Sequence, residues 1–176
     1  MAAETSKAKI IVRPGPHLDK VEILSFLIEP FEDVFAVIPV VNGTRLPEIA
    51  LAFERDQRFE PAGGYGGLIP QWLKYGPLNK YFLGQFEPDE YFAKMGRIYL
   101  LGCGECGDVG CWPLTARVIT SPATVIWDSF EQPFRRERDY SRFGPFVFEA
   151  GQYREAVTVL WTDVSARMVE DADAER

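Results

Sequence analysis

RIYLLGCGECGDVGCWPLTARVIT, residues 97–120, is the stretch whose reading decides the fold. Arg97 to Leu101 is an apolar, β-favouring run, and Cys111 to Thr120 is a second one. Between them Gly102, Gly104, Gly107 and Gly110 punctuate a bend from Gly102 to Gly110. Glycine reaches backbone conformations that other residues avoid, so such a segment reverses direction readily. Strand, short bend and strand predict a hairpin, and hairpins pair antiparallel.

Downstream of the hairpin, Thr124 to Phe130 alternates as a third strand, with Val125, Trp127 and Ser129 assigned to one side. Pro145 to Phe148 is a short apolar strand or a lead-in to a helix. From Glu149 the period changes. Tyr153, Ala156, Val157, Leu160, Trp161 and Val164 recur every three or four residues, which places them on one helical face. Upstream, Val21 to Ile28 and Val34 to Val41 are expected strands, joined by a turn over Glu29 to Asp33. Asn42-Gly43 is a hairpin-turn dipeptide, and Pro47 opens an expected helix over Glu48 to Arg55. Glu60 to Pro70 is a glycine-rich loop, Gln71 to Gln85 is ambiguous, Pro88 to Met95 is a candidate short helix, and Lys9 to Arg13 is a short β-like run. This order predicts an α+β fold: an antiparallel sheet built from hairpins, packed by a C-terminal helix and a shorter internal helix. The expected division is a flexible leader over 1–8, a single α+β domain over 9–169 and a frayed charged tail over 170–176.

A chain of 176 residues suits one domain and can bury a core without metal or disulfide support. The formal net charge is −7. A protein of that sign repels phosphates unless it segregates a basic face. Its most basic window, Arg135, Arg136 and Arg138, is interleaved with Glu131, Glu137 and Asp139, so no nucleic-acid partner is expected. Met1 to Lys9 contains no apolar secretory core, and Val34 to Val41 is too short to span a bilayer. The expected location is the cytoplasm, without membrane attachment, where thiols stay reduced.

All three cysteines of the chain lie in the bend or directly after it. Cys103 and Cys106 form a C-x2-C pair followed by glycine, and Cys111 comes after Gly110. In one reading they hold zinc, because a Cys-x-x-Cys-Gly knuckle turns backbone amides toward thiolates. Cys111 would be the third ligand. His17, the chain's one histidine, is remote in sequence, and Glu105 and Asp108 are less usual fourth donors. In a second reading Cys103 and Cys106 form a reversible disulfide resolved by Cys111, although Glu105 and Asp108 would disfavour thiolates. In a third the cysteines are small residues filling a crowded turn.

Leu101-Gly102-Cys103, Cys106-Gly107, Gly110-Cys111-Trp112-Pro113-Leu114, Trp127, Phe130, Gln132-Pro133, Arg135, Gly144-Pro145-Phe146, Phe148 and Gln152-Tyr153 together resemble an uncharacterised bacterial protein family marked by Cys-Gly-x-x-Gly-Cys-Trp-Pro-Leu. The resemblance covers about a third of the chain and implies no activity. The family pattern has His where Phe134 stands here, a departure that weakens any His–Cys pair.

Catalytic templates are missing: there is no G-x-S-x-G, no H-E-x-x-H and no dinucleotide fingerprint. Glu87, Asp89 and Glu90 suit a helix start better than acid–base chemistry. Arg135 could fork onto a carboxylate or phosphate. The leading expectation is therefore a non-enzymatic interaction or regulatory module. The alternative is a metal-binding (zinc) or thiol-redox protein using Cys103, Cys106 and Cys111.

Overall fold

The structure, a computed structural model, describes residues 20–73, 76–85 and 97–174. His17, the run at Lys9 to Arg13, the candidate helix at Pro88 to Met95 and the acids Glu87, Asp89 and Glu90 lie outside the described residues.

The fold is α+β, with two antiparallel sheets, a long C-terminal helix and shorter internal helices. Strands β1 (Leu24–Phe31), β2 (Val34–Val41) and β3 (Thr44–Arg45) form the first sheet in that order. The β1–β2 turn is tighter than expected, since Phe31 already faces Val34. Pro30 lies inside β1 opposite Phe35, and an edge strand of the sheet tolerates it. Asn42 (φ 52°) and Gly43 (φ 81°) form the β2–β3 turn with both residues left-handed, the conformation this dipeptide favours. Helix α1 (Leu46–Asp56) follows, with Pro47 in its first turn as expected.

The second sheet runs β4-β5-β6-β7-β8: Tyr65–Gly66, Arg97–Cys103, Leu114–Thr120, Thr124–Glu131 and Phe146–Glu149. Helix α2 (Leu78–Tyr81) lies between β4 and β5, and α3 (Ala150–Ala174) follows β8. Two bridges join the sheets. Val37 of β2 exchanges both backbone hydrogen bonds with Leu68 (2.7 and 2.9 Å), and Glu22 bridges Phe148. Through them the ladder passes from β1 and β2 to the β4 segment, on to β8, and back to the residues before β1.

Val125 and Trp127 are buried as the alternation predicts, but Ser129 is exposed. Its φ is 50°, and the register slips there, so that Thr115 faces Glu131 while Arg117 faces Asp128. The extra residue is a β-bulge, and it returns Phe130 rather than Ser129 to the core. Along α3, Tyr153, Val157, Leu160 and Val164 are buried, and Ala156 and Trp161 are half-buried. The Tyr153 hydroxyl donates to the Phe82 carbonyl and accepts from the Trp127 indole (2.9 Å), which ties α3 to β7 and to the residue after α2. Among the described residues no helix is long and apolar enough to cross a membrane.

Candidate metal centre

The first β-strand of the central hairpin runs two residues further than its composition suggests. Tyr65 of β4 pairs with Cys103 and Gly66 with Gly102, so β5 ends at Cys103. The second strand starts at Leu114, which leaves Cys106 and Cys111 in the loop between them. The Gly104 amide donates to the Gly64 carbonyl at 2.8 Å and pins the start of the loop to the glycine-rich segment.

One carbonyl organises the loop. That of Asp108 accepts from the amides of both Cys103 and Cys111, each at 3.3 Å, and so draws the first and third cysteines together. The Asp108 carboxylate accepts from the Gly110 amide at 2.7 Å and fixes the turn into Cys111. The Gly107 amide donates to the Cys103 carbonyl at 2.9 Å and closes the C-x2-C turn. Gly107 has φ +73°, and a Cβ there would lie 2.8 Å from the Trp72 ring, so both conformation and space demand glycine.

The three Sγ atoms lie within 4.8 Å of one another, all three as free thiols, with Cys103 buried and Cys106 and Cys111 exposed. Burial opposes ionisation of Cys103. The Cys106 and Glu105 amides, with the Cys111 and Cys106 thiols, point hydrogens at its sulfur and bring its pKa below the ordinary thiol value. Hydrogen bonding to Cys103 and Cys106 holds the Cys111 proton, and its pKa is pushed up to about 12. The cluster thus favours one thiolate and resists three unless a positive charge joins them.

Such a group could hold a metal ion. Zinc–thiolate bonds of about 2.3 Å at tetrahedral angles separate sulfurs by about 3.8 Å. The observed limit of 4.8 Å is therefore within a small side-chain rotation of a closed site. Among the described residues no fourth His, Cys, Asp or Glu joins the group.

Arg135 lies beside this loop, not in it. Its guanidinium sits 4.9 Å from the centre of the Trp112 ring and donates to the Phe134 carbonyl at 2.9 Å. It also lines a cavity of about 440 Å³ with Arg97, Arg136 and Arg138, where Glu131 and Asp139 contribute opposite charge.

A buried hub behind the loop escapes the sequence reading. Glu54, fully buried on α1, accepts from the Tyr65 hydroxyl (2.7 Å), the Gly63 amide (2.6 Å) and the Tyr140 hydroxyl. Arg138 approaches it at 3.4 Å, donates to the Pro61 carbonyl at 2.7 Å and lies 5.3 Å from the Trp112 ring centre. The Trp112 indole donates to the Gly63 carbonyl at 2.7 Å. Glu54 therefore anchors the 61–65 segment against which the cysteine loop packs. Its signal was spacing: Leu46, Ala50 and Glu54 recur every four residues, which puts this acid on the buried face.

Comparison with known protein families, curated proteins and solved structures gives no match.

Proposed function

We propose that this is a zinc-binding protein whose Cys103, Cys106 and Cys111 thiolates hold one zinc ion at a site with an exchangeable fourth position. The observation that carries this is the convergence of three sulfurs within 4.8 Å. A structural turn does not require it, and a disulfide needs only two of them. Two amides already aimed at the Cys103 sulfur support the reading, because thiolate ligands in zinc knuckles are held by such second contacts. Structural zinc sites are closed by four protein ligands, whereas sites that do chemistry keep three and leave one position to water or substrate. The three donors found among the described residues support a site of the second kind. The interaction module expected from sequence drew on the missing catalytic templates, whereas the cysteine cluster is a positive feature.

Elemental analysis of protein purified under reducing conditions tests the proposal. About one zinc per chain is expected, with Cys106→Ala losing it. Metal-free protein with three freely titrating thiols overturns it. A metal-free protein with a reversible disulfide of defined potential would assign the loop to redox chemistry instead.

A further inference from the structure

Beside the sulfurs is a cavity of about 280 Å³ with both Cys103 and Cys111 in its wall. Gly63 and Gly64 also line it and bring backbone but no side chain. Trp112 supplies an apolar ring, and Ala62 is also in the wall. The cavity has more apolar than polar lining, with Glu105 as its one acidic residue. Gly64 cannot enlarge without cost: its φ is +83°, and a Cβ would stand 3.4 Å from the Trp112 indole nitrogen.

We propose that the fourth position of a metal held by Cys103, Cys106 and Cys111 opens into this cavity and takes a small aliphatic thiol as its thiolate. This deepens the zinc reading and depends on it. Three thiolates on a dication leave the centre with a net charge of −1, and Glu105 adds to the negative field. Water bound there is acidified far less than at a zinc held by neutral imidazoles, so the site is poorly suited to making hydroxide. A set of soft sulfur donors favours a further soft donor. An aliphatic chain would lie along the Trp112 face, with the Gly63–Gly64 backbone leaving room for it. The Arg135 guanidinium, 4.9 Å from the Trp112 ring centre, sets a positive charge against that residue, whereas Arg138, at 5.3 Å, is paired with Glu54. Arg135 offsets part of the negative charge that a fourth thiolate adds. On binding, the thiol S–H loses its proton to solvent, the sulfur–metal bond forms, and the water it displaces leaves.

The test uses the full chain loaded with cobalt(II), which reports sulfur ligation through its thiolate-to-metal charge-transfer absorption. Propanethiol is titrated into the loaded protein. The expected result is a saturable rise of about one third in that band, as three sulfur bonds become four. The Ala62→Leu variant should bind cobalt with the wild-type spectrum but show no rise, because Ala62 lines the cavity without being a ligand and a larger side chain takes up its space. Cobalt bound normally with no response to propanethiol overturns the thiol assignment and leaves the metal site standing. So does an equal rise in Ala62→Leu, or loss of the metal to the added thiol. Failure to bind cobalt at all overturns the metal site itself.

Discussion

Glu54 shows what one residue can decide here. Four groups, Tyr65, Tyr140, Gly63 and Arg138, depend on its carboxylate. Truncation would leave a buried guanidinium without its counter-charge and the Tyr65 and Tyr140 hydroxyls with only each other, at 3.1 Å. Glu54→Ala should lower stability by about 3–5 kcal/mol in denaturant unfolding, the range for breaking a buried ion pair from one side. Sequence reasoning passes over such a residue because an acid in a short helix is ordinarily solvated. Only the tertiary partners, 9 to 86 residues away in sequence, reveal its role. The buried tyrosines Tyr65, Tyr140 and Tyr153 supply a pH test. Burial, with hydrogen bonding to Glu54, pushes the Tyr140 pKa up to about 12. Burial raises Tyr65 and Tyr153 further still. Each folded side chain holds its proton more tightly than the unfolded one, so this contribution is complete below pH 10 and is lost as pH rises through the folded values. Stability should fall above about pH 10, and absorbance should show tyrosinate from these residues appearing with unfolding rather than before it. Three tyrosines titrating near 10 in the folded protein would contradict the burial. Gly107→Ala makes a third residue-scale case. Left-handed backbone and contact with Trp72 together should cost about 1–3 kcal/mol and weaken metal retention, read by thermal unfolding and by competition with a chelator.

At the scale of elements, what the sequence revealed followed local chemistry. Val34–Val41 is a strand with the expected ends, Asn42-Gly43 turns as that dipeptide does, and the buried face of α3 carries the expected Tyr153, Val157, Leu160 and Val164. The misses came where a distant partner intervened. Cys103 belongs to β5 because β4 pairs with it from the glycine-rich loop, 38 residues earlier, at Tyr65. Ser129 faces out because a bulge opposite Ala116 breaks the alternation that Val125 and Trp127 begin. A positive φ at serine has no local sequence signal. The start of α3 is testable at this scale. The Glu149 carboxylate accepts from the Gln152 amide (2.7 Å) and the Gly151 amide (2.9 Å), and these contacts hold its pKa below the ordinary carboxylate value. Glu149→Ala should speed amide hydrogen exchange in the first turn of α3 and leave the second sheet's exchange unchanged. Uniform protection in both forms would show that packing alone fixes the helix start.

For the whole molecule, the architecture joins two distant pieces of chain at one place. The α1–β4 segment presents Gly63, Gly64 and the Glu54 anchor, and the β5–β6 hairpin presents the sulfurs and Trp112. The C-x2-C pattern made a metal site thinkable from sequence, and the spacing to Cys111 allowed a third donor. Neither could show the Asp108 carbonyl gathering Cys103 and Cys111, nor Arg135 lying over the Trp112 ring. X-ray absorption at the zinc edge of the purified, reduced protein is the most direct measurement of the central claim. It should show three sulfurs at about 2.3 Å and one lighter neighbour around a single zinc. A zinc surrounded only by oxygen and nitrogen, or protein that binds none after reduction and reconstitution, would contradict it.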